Sequence, residues 1–225
     1  MVLLYRPRPA VAKEAEVDEP ITAALPVETE EKKDSFLHVL KEGKSVYFSV
    51  FLRHLGASAV WMILPLYFES IGLGRFWLGI LWALNYVGSF VTMRLVATFD
   101  PKKVFAAGQV LSLLVFGAYL LFDQILFLLI TQFVLGIGWG CLYMGALYTV
   151  LDSTPCRGTA SGLLQGTLNL CAVLGPLCGG FIAGIWGYRG VIAFAFLLGL
   201  FSLLVIPEKR KSQKKKHVPV FAKVS

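Results

Sequence analysis

Residues 159–185 read TASGLLQGTLNLCAVLGPLCGGFIAGI, without a charged side chain from end to end. About 20 apolar residues in helical form cross a bilayer, so this block is long enough to span one. The cuts that bound it are short, Asp152 to Gly158 before it and Trp186 to Gly190 after it. Outward from there the same rhythm recurs. Gly72 to Arg75, Asp100 to Lys103 and Asp123-Gln124 divide the chain between Tyr47 and Pro207 into apolar blocks of roughly 18–28 residues, each a candidate span. The predicted spans are 47–71, 76–98, 103–122, 125–150, 159–185 and 190–207. A chain of 225 residues that is 56% hydrophobic and only 16% charged cannot bury so much apolar surface in one soluble core, so lipid is its solvent. In hydrocarbon the backbone must satisfy itself, which leaves helices or a closed barrel. Barrel strands are about 10 residues long and alternate strictly. These blocks are longer and apolar all round, which predicts an all-α membrane protein, a six-transmembrane-helix bundle.

A formal net charge of +7 could suggest nucleic acid, but the placement of the charge argues against it. Lys41 and Lys44 precede the first block, Lys102 and Lys103 join the second to the third, and Arg157 joins the fourth to the fifth. Lys209-Arg210-Lys211 and Lys214-Lys215-Lys216 follow the last, while the opposite loops carry only Arg75 and Arg189. The positive-inside rule then puts both termini in the cytoplasm, as an even number of spans requires, and the expected location is the cell membrane. Residues 208–225 read as a basic cytoplasmic tail that fixes topology and can also hold an anionic leaflet.

Residues 1–46 read as a cytoplasmic lead. Its acidic and basic residues, with Pro20 and Pro26 and few large apolar groups, predict a flexible segment. Residues 35–44 suit either a short interfacial helix or a plain lead-in to the first span. Met1 to Tyr5 is too short for a signal-peptide core and reads as an ordinary terminus or as the end of a helix that begins upstream. Cys141, Cys156, Cys171 and Cys178 fall in or beside the fourth and fifth spans without metal-ligand spacing, so they read as small packing residues. No metal or cofactor is implied.

Glycines concentrate in the same two spans. Gly136/Gly140, Gly162/Gly166, Gly175/Gly179 and Gly180/Gly184 have the small-xxx-small spacing that lets helix backbones approach closely in lipid. Pro176 removes one helical hydrogen bond among them, so the interface is read either as tight packing or as a bending and sliding surface. Asn85, Tyr86, Gln132, Tyr143, Gln165, Thr167 and Asn169 lie on spans two, four and five. Polar groups inside a membrane face the bundle interior or water. Spans three and six, poorer in such groups, are expected at the periphery.

At these residues the chain resembles one half of a major facilitator superfamily transporter. Gly162, Gly175-Pro176 and Gly179-Gly180 match in register a glycine pattern of that superfamily's antiporters, with Cys171 replacing one glycine, and RGTASG at 157–162 resembles its lead-in. MRLVATFDPKKV at 93–104 keeps Leu95 and Lys102 of the loop between second and third helices, with Lys103 one place beyond. Met93, Ala97, Thr98 and Asp100 stand where the family pattern has Gly, Asp, Arg and Gly. Gln132 occupies the place of a first-half arginine ahead of Leu135 and Gly136-Ile137-Gly138. Those departures, with the acidic lead, resemble the C-terminal six-helix half, although the glycine pattern is best known in the first. The resemblance covers about residues 47–207 and implies alternating access around a cavity lined by the first and fourth helices and flanked by the second and fifth.

Substrate-cavity candidates are Arg53, His54, Asn85, Gln132, Tyr143, Gln165 and Asn169. Arg53 is nearer the cytoplasmic end and reads as snorkelling to the headgroups, with an anion-binding or proton-coupling role as the alternative. Gly136, Gly140, Gly162, Gly166, Gly175, Pro176, Gly179 and Gly180 are the packing or gating set, and Lys102, Lys103 and Arg157 mark the cytoplasmic loops. Glu69 and Asp123 sit at span ends and read as solvated. The expected function is secondary active transport of a small solute, with the lipid bilayer as surroundings. The partner is a missing N-terminal half, a second copy or another six-helix chain. The competing readings are a non-transporting scaffold or truncated remnant, and an intramembrane serine protease. The protease fails, because Thr159-Ala160 precede Ser161 and no histidine lies between His54 and His217. The chain therefore reads as no enzyme.

Overall fold

The computed structural model describes residues 36–205. The acidic lead at 1–35 and the basic tail at 208–225 lie outside them. Helices α1 (Phe36–Ser70), α2 (Arg75–Leu95), α3 (Pro101–Leu121), α4 (Ile125–Ser153) and α5 (Arg157–Leu204) account for nearly all of the described chain, and all five are long and apolar enough to cross a membrane. Phe36 to Lys44 is the opening of α1, continuous with the first span, so this helix starts well before the expected residue 47.

Local chemistry sets the breaks. Gly72 takes φ 85°, a left-handed turn between α1 and α2 that glycine adopts without a Cβ penalty. The Asp100 carboxylate accepts from the backbone N–H groups of Lys102 (2.9 Å) and Lys103 (3.4 Å), with Pro101 opening α3. That is an N-cap followed by a residue whose missing donor costs nothing there.

The expected count of six separate helices needs correcting. Five are seen among the described residues, because spans five and six are one 48-residue element with Gly187 at φ 69° and ψ −175° in it. Straight, such a helix would be about 72 Å long, more than twice the roughly 30 Å hydrocarbon core. It folds back instead. Tyr47 donates to the Ala160 carbonyl, and a side chain at Gly175 or Gly179 would meet Ser58 or Ala59, so the N-terminal arm of α5 runs parallel to α1. Ser49 pairs with Ser202 at 2.9 Å and Gly56 abuts Ala195, so the C-terminal arm returns antiparallel along the same helix. One glycine does the work of a loop, and the bundle keeps six limbs. The conformation at Gly187 is essentially glycine-only and costs any other residue about 1–3 kcal/mol. Gly187→Ala should therefore lower the unfolding midpoint in detergent, although nothing lies within 4 Å of the added methyl.

Glycines also set the other contacts. On α4, Gly136 and Gly140 lie against α2 at Asn85 and Thr92, while Gly138 and Gly145 lie against α3 at Leu111 and Phe105. Ser89 donates to the carbonyls of Asn85 and Gly136 across the first seam. Large apolar side chains such as Phe76, Phe90, Leu114, Leu121 and Phe181 point outward, a surface that suits lipid and not water. Asp123 is no free loop acid: it pairs with Arg189 and accepts from the Tyr67 hydroxyl, tying α1, the α3–α4 turn and α5 together.

Candidate functional site

On one face of the bundle α1, α2, α4 and the N-terminal arm of α5 leave an open cavity of about 330 Å³. Its size falls within the range of roughly 300–1,000 Å³ usual for small-ligand pockets. His54 comes from α1, Met93 from α2, Trp139 and Tyr143 from α4, and Gln165, Leu168, Asn169 and Ala172 from α5. None of the lining belongs to α3 or to the C-terminal arm of α5.

The wall is aromatic and the floor polar. His54 stacks on Trp139 with ring centroids 5.0 Å apart, and Trp139 lies 5.9 Å from Tyr143. Offset aromatic pairs of this kind hold one another's rings in place. Gln165 Nε2 donates to Asn169 Oδ1 at 3.1 Å, one helical turn away on the same exposed face. Pro176 has no N–H, which leaves the carbonyl of Ala172 without its usual helical donor.

Four of the seven candidates, His54, Tyr143, Gln165 and Asn169, thus meet in one place. The other three do not line it. Asn85 and Gln132 are buried in the α2–α4 seam, where Asn85 Nδ2 donates to the Gln132 carbonyl at 3.2 Å. Tyr86 was expected to face inward, but it is 64% exposed on the outside of α2, stacked on Trp82.

Arg53 departs most from expectation. It does not snorkel: it is 1% exposed, enclosed by α1, α3 and α4. Its Nη2 donates to Ser112 Oγ at 2.6 Å, and its Cζ lies 5.9 Å from the Phe116 ring and 5.6 Å from that of Trp139. Nε and Nη1 have no hydrogen-bond partner among the described residues. The sequence could not reveal this, since the face of α1 that carries Arg53 is set by where α3 packs. Ser112 and Gln109, which the sequence placed on a peripheral span, are instead its polar surroundings: Gln109 Nε2 donates to Ser49 Oγ at 2.8 Å. A pair of polar residues three apart on an otherwise apolar helix was the available signal.

The glycine set divides. Gly136, Gly140, Gly175 and Gly179 are closed against neighbouring helices, whereas Gly162, Gly166, Gly180 and Gly184 have nothing within 4 Å. Gly162 and Gly166 floor a second open groove beside Phe36, Leu163 and Leu170. Lys103 and Arg157 are exposed and Lys102 half-buried, at the start of α3 and α5. Those two helix starts lie at the same end of the bundle as Ser49.

Comparison with known proteins places these features in context. A family model described as Major Facilitator Superfamily matches residues 46–223. Quinolone resistance protein NorA of Staphylococcus aureus is 25% identical over 177 residues, covering 74% of this chain and 45% of that protein. Multidrug resistance protein MdtG of Proteus mirabilis is 26% identical over 188 residues, covering 76% and 46%. The chain spans about half the length of the curated relatives it matches.

Proposed function

The chain belongs to the major facilitator superfamily, and on that premise we propose that it is one half of a secondary transporter that moves a small organic solute by alternating access. The observation that carries this reading is the convergence of four limbs on one open, aromatic and amide-lined cavity, beside a helix face where a Cβ added at Gly162 or Gly166 would meet nothing within 4 Å. A cavity open on one side needs a second wall. Its companion is the remaining half of a longer transporter, a second copy or another six-limbed chain, packed on the Gly162/Gly166 face.

The protein works in the cell membrane with both termini in the cytoplasm, since Lys41, Lys44, Lys102, Lys103 and Arg157 cluster on one side. It performs no covalent chemistry. The names of the two relatives, which concern quinolone and multidrug resistance, favour an organic solute over an inorganic ion, and the His54–Trp139–Tyr143 wall suits an aromatic one.

The test reads the DNA upstream of Met1 in every frame and measures flux of aromatic solutes into vesicles holding the chain with and without any encoded helices. Flux that requires about six further spans supports the half-transporter reading. Flux from the chain alone selects a second copy as companion. No flux in either preparation favours the second reading, a non-transporting remnant.

A further inference from the structure

The cavity's lining is uncharged as seen from the helices that form it, yet a fixed positive charge lies directly behind its wall. The Arg53 guanidinium is 5.6 Å from the ring of Trp139, and its neighbour His54 stacks on that same ring. Among the described residues no carboxylate offsets it nearby. Along α1 the nearest acids are Glu42 and Glu69, more than two helical turns away on either side; α2, α3 and α5 contain none, and α4 has only Asp152 at its exposed end. Asp123 is paired with Arg189, far along the bundle from Arg53. The charged residues adjacent in sequence to the lining are basic, Arg94 one residue beyond Met93 and Arg157 two turns before Gln165.

We propose that this cavity selects an anionic aromatic solute, one bearing a carboxylate, and that Arg53 is the specificity-determining charge behind its wall. The inference rests on the reading of the cavity as a solute site. A planar ring stacks on the Trp139–Tyr143 wall, and the amide nitrogen of Asn169, whose oxygen is taken by Gln165, is a donor for the carboxylate. Arg53 does not touch the solute. It acts through space, in a site where the protein keeps the effective dielectric well below that of water.

The size of the preference follows from Coulomb's law. A solute stacked on Trp139 places its charge about 10 Å from the guanidinium, where opposite unit charges at an effective dielectric of about 20 gain roughly tenfold in affinity over a neutral isostere. A cation of the same shape loses about as much.

The experiment uses lipid nanodiscs holding the chain with and without any helices encoded upstream, and equilibrium dialysis of three isosteric probes: 2-naphthoate, 2-naphthamide and 2-naphthylmethylammonium. The expected order is carboxylate tightest, amide about tenfold weaker and ammonium weakest. Arg53→Gln should bring carboxylate and amide within about twofold, and Arg53→Lys should keep most of the preference. Amide binding as tight as carboxylate in the unmodified chain, or ammonium binding tighter, overturns the proposal even where Arg53→Gln fails to fold. A carboxylate preference that survives Arg53→Gln overturns the assignment to Arg53. Binding of none of the three removes the solute-site reading itself, and this inference with it; binding of all three without ranking removes only the inference.

Discussion

Gly136→Ala is expected to be the most damaging single-methyl change in the chain. The added Cβ would fall on the carbonyl of Asn85, with the Asn85 carbonyl carbon at 2.9 Å and its Cα at 3.1 Å. These are backbone atoms of α2, so no rotamer change relieves the clash and the helices must separate. Separation breaks the Ser89 bond to the Gly136 carbonyl and the Asn85 bond to the Gln132 carbonyl, leaving buried polar groups without partners. Overpacking alone costs about 1–3 kcal/mol, and each orphaned buried group adds about 1–3 kcal/mol. The expected result is loss of most folded protein in an SDS titration followed by helical circular dichroism. A midpoint equal to that of the unmodified chain would mean that α2 and α4 do not approach so closely.

That seam shows what the sequence could and could not disclose. The apolar blocks and their cuts were legible, because hydrocarbon thickness imposes a length on each helix and Asp100-Pro101 carries its own N-cap. The fold-back at Gly187 was not, since the expected loop Trp186–Gly190 is still mostly helical and a single backbone angle does the turning. The glycine spacing was visible but its direction was not: Gly162/Gly166 and Gly175/Gly179 have the same four-residue period on one arm, yet only the second pair meets a helix within the described bundle. Gly88 and Gly108, which lie against Phe133 and Leu142, have Thr92 and Ser112 rather than a second glycine at that spacing and gave a weaker signal. Of the amides and aromatics on predicted interior spans, Tyr143, Gln165 and Asn169 line the cavity. Asn85 and Gln132 lie in the α2–α4 seam, because a polar side chain in lipid can equally satisfy a neighbouring helix. Arg53 was misread for a related reason. Snorkelling is the cheaper fate for a lone arginine, and only the packing of α3 shows that this one is enclosed.

The division of the glycines supplies the second large effect, with the opposite signature. Replacing both Gly162 and Gly166 by leucine adds bulk where nothing lies within 4 Å, on an exposed helical face. Glycine in a helix interior costs about 0.8–1.0 kcal/mol relative to alanine, so the double variant should unfold no earlier than the unmodified chain in the same SDS titration. Transport should nonetheless fall by more than about tenfold, because a companion helix that needs close backbone approach would be held off by two branched side chains. The readout is solute flux in the preparation that is active with the unmodified chain, scored beside the unfolding midpoint. An intact fold without flux puts the companion on this face. Full flux would send it to another face, and Gly162 and Gly166 would then be lipid-facing with no partner to admit. Either result separates two roles that one sequence pattern conflates. At Gly136 and Gly175 the missing Cβ holds this bundle together, whereas at Gly162 and Gly166 it leaves room for a helix the bundle does not itself supply.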